Sequence, residues 1–143
     1  TYTVIDEAGN RASASLSVKI NKVYSVEAGS NPYANTILSA AYSKLGTPYK
    51  WGAEGPNAFD CSGFVKWCYA KAGISLPHSS SGQKNAGTQI SVSAAQPGDI
   101  LWKSGHVGIY IGGGKYIHAP NTGDVVKISS VSGSGLVCAV RVK

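Results

Sequence analysis

Apolar residues recur at helical spacing in the first half of the chain and at alternating spacing in the second half. The helical pattern predicts two amphipathic helices, one with the buried positions Ile37, Leu38, Ala41 and Leu45, and one with the buried positions Phe64, Val65, Cys68, Tyr69 and Ala72. Asn31-Pro32 offers an N-cap and a first-turn proline to the first helix, while Gly46 and Gly73 are placed to end the two helices. Trp67 falls outside the second buried stripe, so we expect it to be partly exposed.

The alternating segments begin near residue 89 and predict a sheet. Strands are expected over residues 90–92, 100–102, 107–111, 115–118, 125–130 and 136–142. Gly112-Gly113-Gly114 separates the third and fourth of them, as in a β-hairpin turn. Before the strands, Ser80-Ser81-Gly82-Gln83 fits a capping box and predicts a short helix to about residue 86. The expected fold class is α+β, with helices packed on an antiparallel sheet.

The first 31 residues stand apart from this pattern. Residues 1–20 alternate in two runs around Asp6-Glu7-Ala8-Gly9-Asn10, which predicts a β-hairpin, and residues 21–31 have the polar composition of a linker. An isolated hairpin is marginally stable in water, so it either completes a domain whose other strands lie upstream or docks on the main domain. Residues 32–143 then form one domain, and we expect the hairpin to be non-catalytic.

Composition and charge narrow the range of functions. A chain of 143 residues that is 43% hydrophobic and holds 18 glycines suits a single turn-rich folded domain beside a short appendage. The formal net charge of +6 suits a polyanionic surface, but the lysines are scattered singly along the chain, which argues against nucleic-acid binding. No apolar run is long enough to cross a bilayer, so membrane insertion is not expected.

Cys61 and two histidines carry the candidate chemistry. Cys61 begins the second predicted helix, where unpaired backbone N–H groups and the helix dipole favour a thiolate. His106 begins one strand of the predicted hairpin and His118 ends the next, so adjacent strands can hold both imidazoles on one face. The pattern predicts a cysteine nucleophile, a histidine base and a histidine that orients the base. A zinc site at the same residues is an alternative, but the spacing matches no metal motif, so no metal or organic cofactor is expected.

The remaining cysteines and one aspartate receive structural interpretations. Three cysteines leave at least one thiol free. Cys68 and Cys138 are most simply core residues, and a disulfide between them stays open as an alternative. Asp99 follows Pro97-Gly98 and is predicted to bond the backbone of its own turn.

Four motifs follow one another along residues 32–143. They are Leu45-Gly46-Thr47-Pro48-Tyr49-Lys50-Trp51-Gly52, Phe59-Asp60-Cys61-Ser62-Gly63-Phe64, Gln96-Pro97-Gly98-Asp99 and His106-Val107-Gly108-Ile109-Tyr110. Together they resemble the NlpC-type cell-wall endopeptidases, which are papain-like cysteine hydrolases of bacterial peptidoglycan. Residues 1–20 resemble the last two strands of a bacterial immunoglobulin-like repeat.

The resemblance implies a papain-like fold, with the nucleophile helix packed on a central antiparallel sheet. It also implies an endopeptidase that cleaves the amide bond between γ-D-glutamate and the diamino acid of the stem peptide through a thioacyl-enzyme. In this family Tyr49 would lie beside the oxyanion hole, and Asp60 and Ser62 would recognise the free amine of the preceding L-alanine. Trp51, in the loop before the nucleophile, is a further candidate for substrate binding; covering the edge of the core is its alternative role.

His78 stands where related sequences often have arginine, which holds a carboxylate bidentately as histidine does not. We expect His78 to be a surface-loop residue. The implied substrate places the protein outside the cytoplasmic membrane, secreted or wall-associated, as a monomer whose positive charge suits polyanionic wall polymers. Two other functions stay open: an amidase or acyltransferase that uses the same residues, and a non-catalytic wall-binding module.

Overall fold

The computed structural model describes residues 33–142, in which three α-helices pack against one six-stranded sheet. The helices are α1 (Ala34–Ser43), α2 (Cys61–Ala70) and α3 (Ser80–Lys84). The strands are β1 (Thr88–Ile90), β2 (Ile100–Lys103), β3 (His106–Gly112), β4 (Lys115–His118), β5 (Lys127–Ser130) and β6 (Cys138–Arg141). The predicted α+β class is confirmed. The predicted hairpin of residues 1–20, the linker of residues 21–31 and the helix start at Asn31-Pro32 lie outside the described residues.

The sheet is antiparallel throughout, with the strand order β1-β6-β2-β3-β4-β5. β3 and β4 form the predicted hairpin across the glycine turn, and Ile109 lies opposite Ile117. Because the two strands run in opposite directions, the first residue of β3 and the last residue of β4 lie at the same end of the sheet. That end carries His106 and His118.

The main core lies between one face of this sheet and the helices α1 and α2. Four of the five residues in the predicted stripe, Phe64, Val65, Cys68 and Tyr69, are fully enclosed. The fifth, Ala72, lies beyond the last residue of α2 and is partly buried. Full burial of a large apolar side chain contributes about 1.5–3 kcal/mol, so this stripe holds α2 firmly on the sheet. Trp67 is half-buried, as expected. None of the helices within residues 33–142 has the length and apolar character needed to cross a membrane.

Helix α1 ends earlier than its periodicity predicts. Leu45, expected to be buried, lies beyond the last helical residue, Ser43, and is 41% exposed. The N–H of Leu45 bonds to the carbonyl of Tyr42, which tightens the last turn into a three-residue spacing and rotates Leu45 away from the core. Gly46 then adopts φ +87° and donates its N–H to Val126, which directs the chain toward the sheet.

Three predicted strands are shifted or shortened in the structure, and two others are longer by one or two residues. The first predicted strand is shifted, because Val92 belongs to a short 3-10 turn and not to the sheet. Val125 and Val126 precede β5, and the N–H of Val126 donates to Thr47 in the loop after α1. Residues 136–137 and 142 lie outside β6. Alternation in sequence therefore predicted the strands, and pairing of Val126 with the loop after α1 accounts for the later start of β5.

The short helix α3 is present, but its predicted capping box is wrong. The N-cap is Ser79, whose Oγ accepts the N–H of Gly82 at 2.9 Å. Gln83 does not reach back to the cap; its Nε2 donates instead to the carbonyls of Ser62 and Pro77. Gln83 is fully buried and thus joins α3 to the first turn of α2.

Candidate active site

Asp60 fixes the start of α2 and thereby places Cys61. Its backbone is extended, and its Oδ1 accepts the N–H of Gly63 at 2.6 Å as an N-cap. Its Oδ2 accepts the N–H of Gly52 at 3.0 Å. One carboxylate thus ties the loop of residues 47–57 to the first turn of the helix, and Cys61 is the first helical residue.

Gly63 lets that loop lie directly against the helix. A Cβ at this position would lie 2.1 Å from the carbonyl oxygen of Ala53 and 2.8 Å from Oδ1 of Asp60. The N–H of Asp60 donates to the same Ala53 carbonyl at 2.9 Å. Only a residue without a side chain permits this approach of backbone to helix, which explains the glycine of the Asp-Cys-Ser-Gly motif.

The thiol of Cys61 lies at the start of β3. Its Sγ is 3.8 Å from the carbonyl oxygen of Gly105, and the backbone N–H of Val107 bonds to it. These two residues flank His106 in the chain. The N-terminus of α2 and the start of β3 therefore bring the predicted nucleophile and the predicted base to one place.

The acidity of Cys61 differs from the expectation for a helix N-terminus. Burial raises the pKa of the Cys61 thiol, and the charge of Asp60 raises it further. The backbone N–H groups of Val107, Ser62 and Cys61 itself lower it, as the helix position predicts, but they do not outweigh burial. The expectation of a favoured thiolate is wrong for the resting site, in which the thiol keeps its proton.

The two histidines lie together, as the hairpin pattern predicts. Nε2 of His106 is 2.7 Å from Nδ1 of His118, and the rings meet edge to face with centroids 5.0 Å apart. His118 is 6% exposed and packs against the ring of Tyr116 at 4.4 Å. This contact leaves Nδ1 of His106 as the nitrogen free to take a proton from another group.

Both imidazoles are neutral at neutral pH. Burial lowers the pKa of His106 to about 4, and the charge of Lys103 adds to this effect. Burial likewise lowers the pKa of His118 to about 4, with contributions from His106 and Lys127. A neutral ring carries one N–H and one lone pair, so His106 has the protonation state that a general base needs.

Tyr49 and Trp51 stand on the loop that Asp60 holds. Burial raises the pKa of Tyr49, and the nearby Cys61 and Asp60 raise it further, so its phenol stays protonated beside the nucleophile as a hydrogen-bond donor. Trp51 is 83% exposed. The alternative that Trp51 covers the edge of the core is wrong, because the anchored N–H of Gly52 turns the loop outward.

His78 is not the free surface residue that the sequence suggests. Its Nε2 lies 2.8 Å from Oδ1 and 2.9 Å from Oδ2 of Asp60, and its Nδ1 lies 3.2 Å from Oε2 of Glu54. Glu54 in turn pairs with Lys66 on α2. The expectation failed because the loop of residues 47–57 folds back over α2, which local sequence does not reveal. Arginine at this position in related sequences was the available signal that a carboxylate lies opposite.

Two serines complete the site. Ser62 is buried, and its Oγ lies 3.4 Å from Oδ1 of Asp60. Ser129 was not predicted from the sequence; its Oγ lies 2.8 Å from Nε2 of His118. No local motif marks Ser129, because its contact depends on the pairing register of β4 and β5.

The other interpreted residues have structural roles. Asp99 is fully buried and accepts the N–H of Gln96 at 2.8 Å, as predicted for its turn. It also pairs with Arg141 of β6 at 2.8 Å, which the sequence did not predict. Cys68 and Cys138 are both free thiols. Within residues 33–142, no group of three or more histidine, cysteine, aspartate or glutamate side chains is arranged to hold a metal ion.

Known proteins of the same architecture carry similar sequences. The model of the NlpC/P60 family matches residues 46–140. A probable endopeptidase of Corynebacterium glutamicum is 46% identical over 121 residues, which is 80% of this chain and 57% of the relative. The probable endopeptidase p60 of Listeria monocytogenes is 48% identical over 104 residues, which is 69% of this chain and 21% of the relative. The chain therefore matches only part of the length of these curated relatives.

Solved structures agree with the sequence comparison. The NlpC/p60 domain of the peptidoglycan hydrolase SagA superposes with a TM-score of 0.71 at 44% identity, covering 75% of this chain and 97% of that domain. The peptidoglycan hydrolase RipB of Mycobacterium tuberculosis gives a TM-score of 0.70 at 28% identity, covering 76% and 64% of the two chains. The predicted papain-like arrangement is thereby confirmed. Because the family model matches residues 46–140, which is most of the described domain, this chain belongs to the NlpC/P60 family.

Proposed function

We propose that this chain is a cysteine endopeptidase that cleaves peptidoglycan stem peptides between γ-D-glutamate and the diamino acid. The observation that carries the proposal is the position of Cys61 at the N-terminus of α2, against the start of the strand whose first residue, His106, is hydrogen-bonded to His118. The names of the relatives support the substrate class, since SagA and RipB are peptidoglycan hydrolases and the two curated relatives are probable endopeptidases.

The first step starts from a neutral thiol and a neutral imidazole and forms a tetrahedral intermediate on the substrate. Cys61 transfers its proton to Nδ1 of His106 while Sγ attacks the carbonyl carbon and the carbonyl π electrons move to oxygen. Burial holds both groups neutral at rest, so the charged pair arises only when a substrate is present to use it. His118 accepts the Nε2–H of the imidazolium and stabilises it.

Neighbouring hydrogen-bond donors stabilise the oxyanion, and His106 protonates the leaving group. The backbone N–H of Cys61 and the protonated phenol of Tyr49 stabilise the negative oxygen. As the tetrahedral intermediate collapses, the C–N bond breaks and His106 gives its proton to the departing amine. A water molecule, deprotonated by His106, then attacks the thioester carbon, and the acid product and the Cys61 thiol are released.

Asp60, Ser62 and Trp51 form the proposed binding region for the residues before the scissile bond. The carboxylate of Asp60 and the hydroxyl of Ser62 are suitable acceptors for the ammonium of L-alanine, and the exposed ring of Trp51 lies at the rim of the same loop. Such a substrate also implies an extracytoplasmic location, where the net charge of +6 favours contact with anionic wall polymers. We expect the protein to act there as a monomer.

Mass spectrometry of defined stem peptides tests the reaction. We expect the wild type to release the L-alanyl-γ-D-glutamate dipeptide and Cys61→Ala to release none, because no other thiol lies at the histidine pair. Cys138→Ala is the matched control, since Cys138 is a free thiol on β6, which β2 separates from the histidine-bearing strand β3; it should cleave like the wild type. Cleavage by Cys61→Ala at the wild-type rate would contradict the assignment, and transfer products or glycan release would favour the acyltransferase or amidase reading.

Asp60→Asn tests the amine site with a minimal change. Asparagine is also a good N-cap, so α2 keeps its start, while the carboxylate charge and the acceptor for the N–H of Gly52 are lost. We expect the preference of the wild type for peptides with a free amine over N-acetylated peptides to fall by about 10-fold, which corresponds to roughly 1.4 kcal/mol. An unchanged preference would assign Asp60 to helix capping alone.

A further inference from the structure

The hydrogen bonds of the histidine pair continue to a third side chain on β5. Nε2 of His106 meets Nδ1 of His118 at 2.7 Å, and Nε2 of His118 meets Oγ of Ser129 at 2.8 Å. All three side chains are at least partly buried. The three residues therefore form a linear chain of hydrogen bonds that starts at the proposed base and ends at a hydroxyl.

The strand register explains why Ser129 reaches His118. His118 lies opposite Lys127, and Ser129 is two residues further along β5, on the same face of the sheet. Such diagonal neighbours on one face are within reach of long side chains. The next residue, Ser130, lies opposite Lys115, points to the other face and is exposed.

Counting protons fixes the direction of every hydrogen bond in the reactive state. Once His106 has taken the thiol proton, both of its nitrogens carry hydrogen, so its Nε2–H donates to Nδ1 of His118. A neutral imidazole carries only one N–H, so His118 then holds its proton on Nε2. That N–H needs an acceptor, and Oγ of Ser129 lies at hydrogen-bond distance.

The opposite direction would disable the base. If Nδ1 of His118 carried the proton, it would donate to Nε2 of His106, whose own proton would then sit on Nδ1. His106 would have no lone pair left for the thiol of Cys61. The direction of this chain therefore decides whether the proposed base can work.

We propose that Ser129 is a positioning residue, which accepts the Nε2–H of His118 and so holds both histidines in the tautomers that leave Nδ1 of His106 free to take the proton of Cys61. This inference deepens the proposed function and rests on it. Ser129 acts only through His118 and is expected to make no contact with the substrate. Lys103, Lys127, Asp124 and the rings of His106 and Tyr116 also surround His118, and none of them replaces the acceptor at Nε2.

Three single variants separate positioning from folding. Ser129→Ala removes the acceptor, Ser129→Thr keeps a hydroxyl at the same place, and Ser130→Ala is the matched control on the other face of the strand. We expect Ser129→Ala to lower kcat by about 5-fold to 10-fold, the loss of one hydrogen bond of about 1 kcal/mol or slightly more, with KM unchanged. Ser129→Thr should restore most of the rate, and Ser130→Ala should match the wild type.

Alkylation of Cys61 gives a readout that does not need the proposed substrate. The rate of iodoacetamide modification, followed at Cys61 by peptide mass mapping between pH 5 and 8, reports proton transfer from the thiol to His106. We expect Ser129→Ala to slow it by the same factor as kcat. If the wild type cuts no stem peptide while Ser129→Ala still slows alkylation, the proposed function fails and the role of Ser129 stands.

A double-mutant cycle with His118→Gln completes the test. Because Ser129 acts through the imidazole of His118, Ser129→Ala should have no further effect on alkylation in the His118→Gln background. Additive effects would overturn the proposal. So would equal rates for Ser129→Ala and the wild type, or a loss in Ser129→Ala that Ser129→Thr does not restore.

Discussion

Asp60 is the residue on which the geometry of the site depends most. Its carboxylate accepts the N–H groups of Gly52 and Gly63, and it faces the hydroxyl of Ser62 and the ring of His78. It is 9% exposed, so these donors replace most of its hydration. A carboxylate with this many fixed partners has one orientation, and it holds the loop, the helix start and the thiol in one arrangement.

His78 lies within hydrogen-bond distance of both carboxylate oxygens of Asp60, and its contribution can be tested by replacement. We predict that His78→Ala lowers the free energy of unfolding by about 1.5–3 kcal/mol, the range for hydrogen bonds to charged groups, because it leaves Asp60 nearly buried without that partner. Arginine presents two parallel donors to a carboxylate, so His78→Arg should keep most of the stability. Urea denaturation measures both variants.

Lys127→Ala provides the comparison for His78→Ala. It breaks the exposed ion pair with Asp124, and solvent screening leaves pairs of that kind with little effect on stability. A loss for His78→Ala no larger than that of Lys127→Ala would show that the contact with Asp60 is incidental.

The chemical role of a residue could be predicted from the sequence where that role depends on its near neighbours in the chain. The positions of Cys61, His106 and His118 follow from one helix start and one hairpin, both of which leave clear local patterns. The partners of His78 and Ser129 leave no such local pattern. The first contact depends on how a loop folds back over α2, and the second depends on the pairing register of β4 and β5. The acidity of Cys61 was predicted in the wrong direction since sequence reveals the helix dipole but not the extent of burial.

The site is built where two elements end, α2 at its N-terminus and β3 at its start. A helix N-terminus offers free N–H groups, and an antiparallel hairpin aligns the start of β3 with the end of β4. Gly63 and Gly108 make this meeting compact: a Cβ on Gly108 would lie 2.6 Å from the ring of Tyr116 and 3.0 Å from Cβ of His118. Small residues at these two points let the elements approach closely enough for the side chains to touch.

Elements were predicted well in their interiors and less well at their ends. The buried stripes of α1 and α2 follow the helical period because packing against the sheet selects one face. The predicted end of α1 and the predicted start of β5 were wrong, since the N–H of Gly46 donates to the carbonyl of Val126 across the fold. Such long-range backbone bonds compete with local pattern, and the sequence carries no sign of them.

The whole molecule must keep two neutral histidines beside its nucleophile, and this links folding to pH. In the folded chain the pKa of His106 and that of His118 are both lowered to about 4, from an ordinary value of 6.5. Between pH 6.5 and 4 the unfolded chain therefore binds protons that the folded chain does not. The contribution of these two residues to the free energy of unfolding is fully present above pH 6.5 and is lost as pH falls through this window.

We predict that the free energy of unfolding falls by about 2 kcal/mol between pH 7 and pH 5, after allowance for partial solvent screening of the two rings. Lowered carboxylate pKa values, as at Glu54 and Asp124, act in the same direction, but mainly near and below their ordinary values of 4.5 and 3.8. The chosen window thus reports chiefly on the histidines. Urea denaturation at half-unit pH steps measures the slope.

The double variant His106→Gln/His118→Gln separates this pair from every other titrating group. It keeps His78 and all carboxylates, so their pH dependence is common to both proteins and cancels in the difference of slopes. The variant itself need not be as stable as the wild type, because the slope and not the absolute value is compared. We expect its unfolding free energy to be about 2 kcal/mol less sensitive to pH over the same interval. Equal slopes would mean that the two imidazoles take up protons as readily in the folded chain as in the unfolded chain. Burial would then not be what keeps His106 neutral for the attack by Cys61.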